Sequence, residues 1–296
     1  MDARDNVKDT LRGILRKEGI PGDTVVLTGS DGIMMKGWLV DLFSGKIESD
    51  VCDVAIVVGT SAVNCGISSS SLYYVCWKGF PRTFIEFVQL LGRLNRDNSR
   101  SIQDTIHIVL SLRYFSSTFT AIFKEENVNE QRRQLHEFRE VTRIMMSRDK
   151  CTREAVECYY GPGLLPVPLT CNKLCPTCRG EKAKTVNRSF LIDHLEAEVF
   201  ADGSVTLGKL CTKLLERKGS VWVAKCADIK TIDAHELVVL LWVHHIITVH
   251  TEKSTSADGK TKQRTSIHCC FEKKPTGSSI RMNHRDEACW LHIPYV

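Results

Sequence analysis

No run of the 296 residues is apolar for long enough to span a bilayer. The longest, Leu237 to Val249, falls short of the roughly 20 residues a spanning helix needs and contains His244 and His245. Nor do the first residues, Met1-Asp2-Ala3-Arg4-Asp5, resemble the apolar core of a secretion signal. The chain therefore reads as intracellular, and as nuclear if its source is eukaryotic, with no membrane partner. Compositional bias of the kind that marks disorder is missing too, since 43% hydrophobic and 25% charged residues describe an ordinary globular protein. Charge of one sign is scarce: a net +5 permits a polyanionic partner without requiring one. Finally, there is no phosphate-binding G-x-x-x-x-G-K-[ST] loop, because Lys36-Gly37 after Gly29 and Gly32 has the wrong order, and no acidic D-E-x-H block occurs. These two absences exclude a self-sufficient P-loop ATPase site.

What is present suffices for two or three compact domains. Up to about residue 110 the pattern is α/β. It predicts a helix to Lys17, a strand Thr24–Leu27, a helix around Met34–Phe43 and a strand Asp53–Val58, followed by Leu72–Cys76 (strand), Arg82–Leu91 (helix) and Thr105–Leu112 (strand). A doubly wound parallel sheet is the economical architecture for that order. Residues 119–160 carry Phe138, Val141, Ile144 and Met145 among charges at helical spacing, and Pro162, Pro166 and Pro168 then break the helices. Boundaries near 118 and 190 separate an α/β lobe (1–118), a helical cysteine-bearing module (119–190) and a C-terminal domain (191–296). In the last domain, helix signals begin at Ser204-Val205-Thr206, a second helix runs from about Ile232 to Val243, and strands Ile246–His250 and Thr265–Phe271 flank a polar stretch. Helices followed by a hairpin with Lys253, Lys260, Lys262 and Arg264 at its tip describe a winged helix. That tip has no aromatic between Thr251 and Arg264, so it fits phosphate gripping and not base wedging.

Thirteen cysteines without a secretion signal point away from a disulfide framework. Cys151, Cys171, Cys175 and Cys178 form C-x19-C-x3-C-x2-C, and four clustered thiolates suit tetrahedral zinc, with Cys158 as a substitute ligand. Cys52, Cys65, Cys76, Cys211 and Cys226 read as small buried hydrophobes. Cys269 and Cys270, adjacent on a strand, face opposite sides and make a poor chelating pair. His235, His244 and His245 read as core or surface residues.

Two blocks carry phosphate chemistry. Gln89-Leu90-Leu91-Gly92-Arg93-Leu94-Asn95-Arg96 is Q-x-x-G-R-x-x-R, and arginines three apart on a helix or its end can place two guanidinium groups on phosphate oxygens. Val54 to Ser68 is a buried-type strand running into a small-residue loop, where Thr60 and Ser61 offer hydroxyls and N–H groups. The order and separation of these blocks resemble motifs V and VI of superfamily 2 helicases, and most of all the RecQ family. That family has an A-T-x-A-F-G-M-G-I block and a Q-E-x-G-R-A-G-R-D-G block, and here stand Gly59 to Ile67 and Gln89 to Asn98. Thr28-Gly29 and the helix ending at Phe43 resemble the segment between motifs IV and V. RecQ proteins also have a helix-borne Cys, an aromatic-Gly pair (here Tyr160-Gly161) and a tight C-x-x-C-x-x-C run, with a winged helix after it.

The resemblance implies a RecA-like second motor lobe, a zinc module and a winged-helix region, the C-terminal part of an ATP-dependent 3′–5′ DNA helicase acting in recombination and repair. It implies that Gln89, Gly92, Arg93 and Arg96 face ATP, with Arg93 and Arg96 catalytic and Arg96 the arginine finger, and that Thr60 and Ser61 hold DNA. ATP and magnesium would require a complementary first RecA-like lobe, in cis or in trans. The departures are Cys76-Trp77-Lys78 in place of H-x-D, Leu90 in place of Glu, and Leu94-Asn95 in place of Ala-Gly. They frame the alternative, a catalytically inactive zinc-containing DNA-binding protein derived from such a helicase.

Overall fold

The computed structural model describes residues 3–20, 22–27, 34, 37, 38, 40, 41, 54–59, 74–91, 104–109, 111–146, 150–161, 175, 177, 178, 183–187, 192, 195–215, 231–254, 264–271, 279–283 and 290–295. They fall into two compact units. The first comprises Met1–Val75 and Val88–Asp104, and the second Cys76–Phe87 and Thr105–Val296.

In the first unit, helix α1 (Ala3–Lys17) packs on strand β1 (Asp23–Leu27) and buries Leu15. Gly19 ends the helix at φ 65°, in the left-handed region that costs glycine nothing. With it there, the N–H of Ile20 donates to the Leu15 carbonyl at 2.9 Å and the N–H of Gly19 to that of Arg16 at 3.3 Å, satisfying carbonyls the helix would otherwise leave open. Strand β2 (Val54–Gly59) pairs with β1 in parallel, with Thr24 opposite Ile56 and Leu27 opposite Gly59. A parallel pair needs a crossover between its strands, and Met34, Gly37, Trp38, Val40 and Asp41 within that crossover are helical.

Strand β3 (Tyr74–Lys78) leads through Gly79, at φ 116°, to helix α2 (Phe84–Leu91). Strand β4 (Asp104–Val109) stops short of the predicted Leu112 because Ser111 caps the next helix, its Oγ accepting the Tyr114 N–H at 3.3 Å. The helices that follow are α3 (Leu112–Ile122), α4 (Val128–Met146) and α5 (Thr152–Tyr160). After them come strand β5 (Ala183–Asn187), a π-helical turn at Leu195–Val199, strand β6 (Val205–Thr206), helices α6 (Leu207–Leu215) and α7 (Thr231–Val243), and strands β7 (Ile247–Ser254), β8 (Arg264–Phe271), β9 (Ser279–Asn283) and β10 (Trp290–Tyr295).

The described strands form four small sheets. These are β1 with β2, β10-β4-β3, β5 with β9, and β6-β8-β7, so β3 and β4 share a sheet with β10 and not with the parallel pair. The sheet of β6, β8 and β7 is antiparallel, with His250 opposite His268 and Val205 opposite Cys269.

An aromatic cluster centres the second unit. Trp242 of α7 lies 5.0 Å from Phe119 and 5.4 Å from Phe115, both T-shaped, and 5.2 Å from Phe138 of α4. Such pairs each add about 0.5–1.5 kcal/mol beyond the area they bury. From Ala234 to Val243 only His235 reaches solvent, so this stretch of α7 is enclosed on every side. The long apolar run thus divides into the end of a central helix and the start of β7. At the joint His245 takes φ 55°, letting Ile246 donate to the Leu241 carbonyl at 2.8 Å. Among the described residues no helix is long and apolar enough to cross a membrane.

Candidate metal centre

Cys151 is the N-cap residue of α5. Its carbonyl accepts the Ala155 N–H at 2.9 Å, but its side chain makes no capping bond, unlike the Ser, Thr, Asp or Asn usual at that position. The thiol is turned instead to Cys175, whose Sγ lies 3.8 Å from its own. Cys175 is buried, and its sulfur accepts the backbone N–H of Cys178 at 3.3 Å, which brings the two cysteines together. The three sulfurs of Cys151, Cys175 and Cys178 all lie within 4.8 Å of one another and could hold a metal ion.

The electrostatics of the group suit a cation. Hydrogen bonding with Cys175, then burial and the nearby Cys151, pushes the Cys178 thiol well above its ordinary range. A second thiolate beside a first is disfavoured, and a positive charge among the sulfurs reverses that balance. The site also has an open side, since Cys151 is half-buried and Cys178 exposed. A helix N-terminus at Cys151 further favours negative charge on its sulfur.

Neighbouring elements hold α5 in place. Tyr159 stacks on Phe84 with ring centroids 3.7 Å apart and planes at 23°. Phe84 opens α2 and donates its N–H to Glu137 Oε1 of α4 at 3.0 Å. Arg133 ties Glu137 (2.9 Å) to Glu130 (2.7 Å), which that hydrogen bonding holds at a pKa of about 2. Gly161 closes α5 at φ 95° and donates to the Glu157 carbonyl at 3.1 Å. The centre therefore stands on an anchored helix.

The other residues singled out from sequence are placed as follows. Cys171 lies outside the described residues, and Cys158, exposed on α5, does not join the three-sulfur group. Gln89 lies exposed on α2, while Gly92, Arg93 and Arg96 fall outside the described residues, as do Thr60 and Ser61, which follow the last residue of β2. Lys253 and Arg264 lie at the tip ends of β7 and β8, with Lys260 and Lys262 beyond the described part of the hairpin. Cys211 is buried as expected. Cys76 is exposed, on the same face of β3 as exposed Lys78. His235 is half-buried, and that burial lowers its pKa. Cys269 is buried and Cys270 is not, as their opposite facing requires.

One polar cluster was not anticipated. Ser204, His250, Glu252, His268 and Cys270 gather on one face of the β6-β8-β7 sheet. The alternations His250-x-Glu252 and His268-x-Cys270 were the available signal, since residues two apart on a strand share a face. The chain matches no protein-family model and no curated protein sequence.

Proposed function

We propose that the metal is zinc, held by Cys151, Cys175 and Cys178 with Cys171 as the fourth ligand, and that the chain acts as the C-terminal part of a RecQ-type 3′–5′ DNA helicase. The observation that carries this reading is the sulfur spacing. Four thiolates on a tetrahedron at a zinc–sulfur distance of about 2.3 Å stand about 3.8 Å apart, and Cys151 and Cys175 are at 3.8 Å. An all-sulfur set also suits zinc above the hard cations. Zinc bound there would join the start of α5 to Cys175 and Cys178, a structural role.

Further support comes from element order. The pair β1 and β2, parallel with helical residues in the crossover, fits a RecA-like lobe. After the cysteines, β6, α6, α7 and the β7–β8 hairpin follow, with α6 packed on α7 and β6 beside β8, the order a winged helix requires. From Ala234 to Val243 α7 is enclosed, so DNA contact in this reading falls to the hairpin through Lys253, Lys260, Lys262 and Arg264. In the same reading Thr60 and Ser61 hold DNA, and Gln89, Gly92, Arg93 and Arg96 serve ATP and magnesium brought by a first lobe. Recombination and repair in the nucleus are the setting it implies.

DNA-stimulated ATP hydrolysis, measured with a first RecA-like lobe supplied in cis or in trans, tests the motor assignment. Turnover that Arg96→Ala abolishes is expected, and turnover indifferent to Arg96 removes the arginine finger. The second reading, a catalytically inactive zinc-containing DNA-binding protein, is favoured by the missing phosphate loop and by Leu90 and Leu94-Asn95 in the arginine block. It predicts salt-sensitive duplex binding with no turnover under any of these conditions.

A further inference from the structure

Away from the metal centre, β7 and β8 bring a thiol, an imidazole and a carboxylate into line. Cys270 Sγ lies 3.8 Å from His250 Nδ1, within hydrogen-bond reach for sulfur, and His250 Nε2 lies 3.0 Å from Glu252 Oε1. The register produces this line. His250 is opposite His268, which makes Cys270 the diagonal neighbour of His250, while Glu252 lies two residues on along the same strand and therefore on the same face. Glu252 is held from two further directions, by the Ser204 hydroxyl at 2.5 Å and by His268 Nδ1 at 3.3 Å.

We propose that Cys270 is a reactive thiol, with His250 as its base and Glu252 as the positioning residue, that takes up low-molecular-weight disulfides as a mixed disulfide. A carboxylate on Nε2 keeps the ring proton there and leaves Nδ1 as an acceptor for the thiol proton. In the exchange, the Cys270 proton passes to His250 Nδ1 and the sulfur attacks one sulfur of the small disulfide. The S–S bond breaks, its electron pair leaves on the second sulfur, and that sulfur takes a proton to depart as a free thiol. Cys270 is oxidised to the mixed disulfide while the departing half is reduced, so the step needs no other oxidant.

The site is open enough for a small reagent. Cys270 is half-buried, and the His250 and Glu252 side chains are 39% and 44% exposed. The adjacent cysteine provides the contrast. Cys269 is fully buried on the opposite face, gives its S–H to the Val205 carbonyl at 3.2 Å and is pushed up to about 12, mainly by burial. One residue of chain thus separates an inert thiol from an activated one, the distinction that exposure and a neighbouring base are expected to produce.

The test is peptide-mapped thiol modification of the intact folded chain by oxidised glutathione at neutral pH, read for each cysteine over time. Cys270 is expected to react about tenfold or more faster than exposed Cys158, which has no such base among the described residues. His250→Phe should remove that advantage while leaving the Cys158 rate unchanged. Glu252→Gln should lower the Cys270 rate severalfold, and Glu252→Asp should recover part of it, which loss of a purely structural contact would not allow. A wild-type Cys270 no faster than Cys158 overturns the proposal without any variant. So does a Cys270 rate that His250→Phe leaves intact in a folded protein.

Discussion

Cys175 Sγ lies 3.8 Å from Cys151 Sγ, joining Cys175 to the N-cap residue of a helix that comes well before it in the chain. Neither cysteine is in a disulfide, and Cys175 is buried. Two thiolates at that separation would repel, so without a cation the contact contributes little by itself. Cys175→Ser is therefore expected to abolish metal retention and lower the thermal midpoint of the metal-loaded protein, with little effect on chelator-treated protein. Unfolding curves with and without a chelator check both halves.

The stack of Tyr159 on Phe84 bears on the same helix from its other end. Phe84 is 1% exposed, so Phe84→Ala is expected to cost about 3–5 kcal/mol. Tyr159 is largely exposed, and Tyr159→Ala should cost about 0.5–1.5 kcal/mol through the lost ring pair. Urea unfolding measures each difference.

His245 occupies the left-handed region at φ 55°, and Arg139 reaches its Nδ1 at 3.0 Å. His245→Val should destabilise by about 1–2 kcal/mol, because a β-branched side chain is crowded there. Denaturant midpoints for His245→Val and His245→Gly distinguish backbone strain from the lost arginine contact, since only the valine variant incurs the strain.

The carboxyl of Glu252 is held below its ordinary range, first by the Ser204 hydroxyl and then by His250. A depressed carboxyl pKa contributes stability that is present above the unfolded value, about 4.3 for glutamate. That stability is lost as pH falls through the lower folded value. Protection of the β7 and β8 amides, corrected for the slower intrinsic exchange at low pH, should therefore fall on acidification below that range, and Glu252→Gln should flatten this pH dependence.

If the hairpin grips duplex phosphates, replacing Lys253, Lys260, Lys262 and Arg264 by Ala should make the salt dependence of binding shallower. The expected change is about 0.9 per lost phosphate contact in log K against log salt. Fluorescence anisotropy across a salt series reads that slope directly.

Local patterns were legible in the sequence where one face of an element is buried or a terminus carries a signal. The first helix ends at Lys17 as its pattern predicts, and the strand expected at Asp53–Val58 is observed at Val54–Gly59. The strand expected to reach Leu112 stops at Val109 because Ser111 caps the helix that follows. Strand pairing was less legible, since β10 lies beside β4 through contacts that no local pattern encodes. The three-sulfur group was readable from cysteine spacing alone. The line from Cys270 through His250 to Glu252 was not, because it depends on the register of two strands joined by a long polar stretch.

The metal content of the purified chain, with sulfur coordination read by X-ray absorption at the zinc edge, tests the central claim most directly. The account predicts one zinc per chain in an all-sulfur shell at about 2.3 Å, lost when Cys175 is replaced by Ser. A chain folded without zinc, or zinc held by nitrogen and oxygen with Cys175 dispensable, would contradict it.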